Sequence, residues 1–289
     1  MLISETESKS QLIQYKKVYK PCLCFTHFIN LFIIIRDEVF VKYTVLGSGS
    51  CVPDSQKNSS GGLLELNGIL ILVDCGTGVL HTIPGTGYDY KEIDVVCLTH
   101  LHLDHINDFG ALLFALNHDP ECHREKELFV IAPKGFSQFY ENLKQLYGDT
   151  LETHFDIVIR EMGNEEFDYG DIHIQTLQTF HTENSIGYRF TYKGKVVCIS
   201  GDTSYNENIV TLCKDADLAV LECSFPQIQD EGIHLNPKLI SKIVTEAGVK
   251  EVLLTHLYPH TEDYPIIEYI TREYDGDISI ARVGKSYTV

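Results

Sequence analysis

Residues 99–105 read T-H-L-H-L-D-H, directly after an apolar strand expected over Ile93–Leu98. Here the strand presents its carboxyl end, and a helix is expected to begin near Asp104. Alternation along extended chain throws His100 and His102 to one side. The turn that follows brings Asp104 and His105 round beside them. Neutral imidazoles and a carboxylate are ligands that zinc, manganese and iron ions accept. A lone histidine is ordinarily a surface residue or a satisfied core residue. Three histidines and an aspartate within residues 100–105 are not explained that way.

Three more candidates stand in equivalent places, each just past an apolar run. His181 follows Ile172–Phe180, Asp202 follows Val196–Gly201, and His256 follows Val252–Thr255. In α/β proteins the carboxyl ends of strands form the usual ligand crevice, so four separate segments converge on one place. His100, His102, Asp104, His105, His181, Asp202 and His256 suffice for two metal ions with a position left open for water.

Short β-rich runs alternate with helical ones from residue 40 onward, with no low-complexity stretch between them. Strands are expected at 40–46, 62–66, 69–73, 93–98, 127–132, 171–178, 186–192, 195–200, 217–221, 250–254, 277–281 and 285–288. Asn67-Gly68 and Lys193-Gly194 read as hairpin turns. Helices are expected near 106–116, 134–147, 206–213, 237–246 and 263–273. Early hairpins followed by strand–helix alternation predict two sheets between helical layers, an α/β sandwich.

The 289 residues are 44% apolar and 22% charged, enough for a sizeable core, and the formal net charge is −18. That charge weighs against a broad nucleic-acid or anionic-membrane footprint, which needs a basic face. It leaves room for a small anionic substrate, since bound metal ions dominate a local field. Nine cysteines with no C-x-x-C pair read mostly as small buried apolar residues in a reducing, cytoplasmic setting. Residues 1–39 read as an N-terminal extension, poorly ordered or a start-site artefact, and 40–289 as the domain that carries the metal-ligand candidates. Within the extension, Lys16, Lys17 and Lys20 precede P-C-L-C-F-T-H-F-I-N-L-F-I-I-I at 21–35. A membrane anchor is the second reading of that run, but a span needs about twenty predominantly apolar residues. No membrane partner is therefore expected.

The H-x-H-x-D-H motif, the later His181, Asp202 and His256, and Asp74-Cys75-Gly76 together resemble the metallo-β-lactamase fold superfamily. The resemblance covers about residues 41–289 and implies a four-layer αββα sandwich. It also implies that His100, His102 and His181 hold one divalent ion, zinc before manganese or iron. Asp104, His105 and His256 would hold the second, Asp202 would bridge the two, and Asp74 would fix the ligand loop. An aspartate at 202 suits the superfamily's phosphodiesterases and thioesterases. His102 in place of a glutamate argues against a redox di-iron role.

Leu221-Glu222-Cys223-Ser224-Phe225 and Gly232-Ile233-His234-Leu235 resemble paired acidic and histidine motifs of ribonuclease Z-like phosphodiesterases. Leu46-Gly47-Ser48-Gly49-Ser50 and the run 181–190 point the same way. Alone, Glu222 reads equally as a strand-end carboxylate and His234 as a loop histidine. Beside seven ligands, Glu222 is expected to orient His234, and His234 to assist the leaving oxygen. Asp104 is expected to orient a hydroxide formed between the two ions. The Gly-Ser loop at 47–50 fits no phosphate-binding fingerprint and reads as a turn whose backbone passes near the site. Eleven residues separate Gly187-Tyr188-Arg189 from Gly201-Asp202-Thr203, too few for the tRNA-clamping arm of ribonuclease Z. The expected substrate is thus a small phosphodiester such as a cyclic nucleotide. A tRNA 3′ endonuclease, a thioester or lactone hydrolase and a non-catalytic metal-binding protein follow in that order. The resemblance also implies a homodimer.

Overall fold

β-Branched and aliphatic residues dominate the core strands, which assemble into two seven-stranded sheets. The structure, a computed structural model, describes residues 39–226 and 232–289. The first strands are β1 (Val41–Gly47), β2 (Gly61–Leu66), β3 (Ile69–Val73), β4 (Val95–Cys97), β5 (Leu128–Pro133) and β6 (Ile157–Met162). Next come β7 (Glu165–Tyr169), β8 (Ile172–Gln178), β9 (Ile186–Tyr192), β10 (Lys195–Ile199) and β11 (Leu218–Glu222). The last are β12 (Glu251–Thr255), β13 (Asp277–Ile280) and β14 (Ser286–Thr288). One sheet runs β14-β1-β2-β3-β4-β5-β6 and the other β13-β12-β11-β10-β9-β8-β7. Each is antiparallel in its early strands and parallel in its later ones, from β3 to β6 and from β10 to β13. The turn residues Asn67 (φ 50°), Gly68 (φ 92°), Lys193 (φ 46°) and Gly194 (φ 83°) have the left-handed backbone of tight hairpins.

The helices are α1 (Val79–Thr82), α2 (Leu103–Ile106), α3 (Phe109–His118), α4 (Phe136–Tyr147), α5 (Glu207–Cys213), α6 (Pro237–Ala247) and α7 (Ile266–Ile270). Between the sheets lies a core that includes Val45, Ile71, Tyr188, Phe190, Val197 and Leu253. On the outer face of the first sheet, Leu72, Val96 and Val130 pack with Val79, Phe109 and Phe136. On that of the second, Cys198, Ala219 and Val252 pack with Ile209, Ile240 and Ile270. The layers are helix, sheet, sheet, helix, the expected four-layer sandwich.

Three local departures have physical causes. The helix expected over 106–116 is split, because the Asp108 carboxylate turns away to accept from the backbone N–H groups of Gly78 (2.9 Å) and Leu80 (3.1 Å). The helix expected over 263–273 shrinks to α7, since Pro265 stands at its N-cap and cannot continue a helix backward. The edge strands β6 of the first sheet and β7 of the second are additional to those expected: β6 is half-buried along most of its length, and β7 carries acidic residues at 165, 166 and 168. Of the seven described cysteines, six are buried, Cys51 is exposed, and all are free thiols. The expected extension, Cys22 and Cys24 included, lies outside the described residues apart from Val39. No described helix is long and apolar enough to cross a membrane.

Candidate metal centre

Strand ends supply the site. Asp74 follows β3, His100 to His105 follow β4, His181 follows β8, Asp202 follows β10, Glu222 ends β11, and His256 follows β12. Two glycines let these loops approach one another. A Cβ on Gly76 would stand 2.0 Å from the Asp104 carbonyl oxygen, and one on Gly201 (φ 58°) 2.6 Å from Thr99 Cβ. Asp74 (φ 56°) and His256 (φ 57°) hold the left-handed backbone themselves, a conformation that costs a non-glycine residue about 1–2 kcal/mol. Such strain gathers at functional sites.

Asp202 is the hub. Its Oδ2 lies 3.6 Å from His181 Nε2 and 3.9 Å from His100 Nε2. Its Oδ1 lies 3.3 Å from His105 Nε2 and 3.5 Å from His256 Nε2. His102 Nδ1 stands 3.1 Å from His181 Nε2, and Asp104 Oδ2 stands 3.3 Å from His256 Nε2. Ligand-capable atoms of His100, His102, His181 and Asp202 lie within 4.8 Å of one another, as do those of Asp104, His105 and His256. The seven residues proposed from the sequence are therefore gathered in one place.

Four of these rings commit Nδ1–H to an acceptor on the far side. His100 donates to Thr99 Oγ1 (3.0 Å), because that hydroxyl already donates to Asp74 Oδ2 (2.9 Å). His105 donates to Asp74 Oδ2 (2.8 Å), His181 to the Ile233 carbonyl (3.3 Å) and His256 to Ser224 Oγ (3.0 Å). The Ser224 hydroxyl in turn donates to Glu222. Each ring so oriented turns an Nε2 lone pair toward the oxygens of Asp202. Buried His100 Nε2, His105 Nε2 and Asp202 Oδ1 find no hydrogen-bond partner. Acceptors facing acceptors in a buried pocket are costly without positive charge among them, and this donor set suits a divalent metal. Burial and the neighbouring rings hold His100 well below the usual histidine range, and burial takes His181 down to about 4. Both rings are pushed toward the neutral form that a ligand needs, while, against burial, the Asp202 and Asp74 carboxylates raise His105 well above the usual histidine range.

Glu222 and His234 also meet. His234 Nδ1 donates to Glu222 at 3.0 Å and lies 3.8 Å from Asp202 Oδ2. Burial works against a proton on His234, but the Glu222 carboxylate outweighs it and raises the ring's pKa. The Gly-Ser loop passes where expected: the Ser48 carbonyl accepts from Leu257 N (3.3 Å), one residue past His256. Two supporting residues had no role assigned from the sequence, Thr99 and Ser224. Both lie inside segments singled out for chemistry, and a hydroxyl beside a ligand is the signal that was there to read.

The family model for the anti-Pycsar protein Apyc1 matches residues 41–287. The Bacillus subtilis protein YhfI, described as a probable metallo-hydrolase, is 30% identical over 250 residues, 84% of this chain and 98% of that protein. A ribonuclease Z of Mycolicibacterium gilvum is 28% identical over 245 residues, 76% of this chain and 85% of that protein. The crystal structure of YhfI superposes with a TM-score of 0.76 at 27% identity, covering 87% of this chain and 100% of that one. The short form of human tRNase Z has the same fold, with a TM-score of 0.71 at 22% identity over 85% of this chain and 98% of that one. With the strand-end histidines in place and the match running nearly from β1 to the last strand, the chain belongs to the Apyc1 family, among the ribonuclease Z-like metal-dependent hydrolases of the metallo-β-lactamase fold.

Proposed function

We propose that this hydrolase is a phosphodiesterase for a small phosphodiester such as a cyclic nucleotide, working with two divalent ions, zinc ahead of manganese or iron. The observation that carries the reading is Asp202, whose two oxygens divide between two sets of histidines. His100, His102 and His181 would hold one ion, Asp104, His105 and His256 the other, and Asp202 both. Bound there, the ions would supply Lewis acidity and lower the pKa of water toward neutrality. The half-buried Asp104 carboxylate orients the attacking water. Glu222 fixes the His234 ring through Nδ1 and raises its affinity for a proton, so that the ring donates a proton to the leaving oxygen.

A small substrate is favoured by the net charge of −18 and by the tight Lys193-Gly194 turn between β9 and β10. Cleavage of tRNA is the second reading, and it rests on the 28% identity to a ribonuclease Z. A cytoplasmic homodimer completes the proposal, free thiols being in keeping with a reducing compartment.

The test pairs metal analysis with one substrate panel: a cyclic nucleotide, bis(p-nitrophenyl) phosphate, precursor tRNA and a thioester. Two ions per chain and chelator-sensitive turnover of the first two substrates are expected. Turnover of precursor tRNA or the thioester alone would replace the reading, and a metal-loaded protein inert to the whole panel would end it.

A further inference from the structure

We infer that the cavity beside His181 is a nucleobase subsite in which Phe180 and Ile233 are stacking jaws, an inference that rests on the phosphodiesterase reading above. The cavity measures about 520 Å³ and is lined by Phe180, His181, Thr182, Asn208, Gln178 and Ile233 among others. That size lies within the roughly 300–1,000 Å³ of small-molecule sites. Because His181 reaches both the cavity and Asp202, a substrate with its phosphate at the centre extends its other half into this space.

Phe180 is 57% exposed and Ile233 44% exposed, and neither joins the three apolar cores. Each immediately precedes a histidine of the site. Alternation that turns His181 inward turns Phe180 outward. The strand-end backbone is pinned on both sides, by Phe180 N donating to Thr203 Oγ1 (3.1 Å) and Ser204 N donating to the Phe180 carbonyl (2.9 Å). The hydrogen bond from His181 Nδ1 to the Ile233 carbonyl (3.3 Å) ties the two segments together. The two apolar side chains are thereby held at one cavity, beside the chemistry, with their faces uncovered.

Several amide donors around them are engaged within the protein. Asn208 Nδ2 donates to the Gln178 carbonyl (2.8 Å) and Gln178 Nε2 to the Glu183 carbonyl. Asn206 donates to Thr203 Oγ1 (3.0 Å) and accepts from Ile209 N (3.0 Å) as the cap of α5. Apolar faces beside amide donors already engaged within the protein suit stacking more than reading of a base edge. Purine and pyrimidine substrates should therefore respond alike, since every base has a π face.

The experiment compares 3′,5′-cyclic AMP, 3′,5′-cyclic CMP and a base-free ribose cyclic phosphate on the metal-loaded protein, with Phe180→Ala, Phe180→Tyr and Ile233→Ala. Phe180→Ala should raise KM for both nucleotides about tenfold or more, with kcat changed less than about twofold. Turnover of the base-free substrate should be nearly unaffected, Phe180→Tyr should restore the nucleotide KM, and Ile233→Ala should act in the same direction more weakly. An unchanged nucleotide KM in Phe180→Ala, or an equal loss on all three substrates, would overturn the subsite while leaving the phosphodiesterase reading standing. Turnover of none of the three by the wild type would overturn both.

Discussion

The two ligand sets that meet at Asp202 differ in what stands behind them. Behind His181 stands a neutral acceptor, the Ile233 carbonyl, and behind His100 the Thr99 hydroxyl, which donates onward to Asp74. Behind His256 a like relay runs through the Ser224 hydroxyl to Glu222, whereas His105 donates to a carboxylate directly, that of Asp74. Exposure leans the same way. Beside the buried His100, His102 is exposed and His181 half-buried, whereas His105 and His256 are buried beside the half-buried Asp104. A carboxylate that accepts the far N–H makes an imidazole a better donor to metal than a neutral group does. In the two-ion reading, the set of Asp104, His105 and His256 is therefore the tighter half, and the His102 half empties first under a chelator.

That contrast can be broken at its centre or sharpened at its edges. Asp202→Ala removes the residue common to both halves, and turnover should fall at least about a thousandfold, with metal lost from both; retention of two ions would contradict the shared role. His102→Ala should cost about as much turnover yet keep close to one ion per chain, measured by elemental analysis. His234→Ala lies outside both sets and should keep full metal while kcat drops by about a hundredfold. Asp74→Asn keeps the shape but removes the charge behind His105, and should weaken the tighter half by about 10–100-fold in a competitive chelator titration. Ser224→Ala cuts the relay from Glu222 to His256 and should weaken the same half by less than about tenfold. If Asp74→Asn instead weakened the His102 half more than the other, the contrast between the halves would be reversed.

The gathering of the seven ligand candidates was legible because each follows an apolar strand, and strand order brings strand ends together whatever the connecting lengths. The supporting hydroxyls were not. Thr99 and Ser224 act through partners in other segments, and nothing in a threonine before a histidine says that its proton is already spent on Asp74. The break after α2 was hidden for the same reason. Ile106, Phe109, Leu113 and Leu116 keep helical spacing, while Asp108 answers to Gly78 and Leu80 from a distant loop. Strand β7 was hidden by its surface: Glu165-Glu166-Phe167-Asp168-Tyr169 presents too little apolar alternation for a period of two to stand out. Periodicity reports what faces a core, and these elements face one only in part.

Asp104 and His105 leave the first sheet and His256 leaves the second, and Asp104 meets His256 across 152 residues of chain. An ion seated between them would be a clasp between two layers otherwise joined by apolar contact. During synthesis the clasp could close only after β12 had emerged, late in the chain. In the finished protein, opening the sandwich would mean releasing the ion, so metal supply would govern how long the fold survives heat or protease as well as how fast it turns over substrate. A chelated sample should then be cut by protease sooner than a loaded one, even with its secondary structure unchanged.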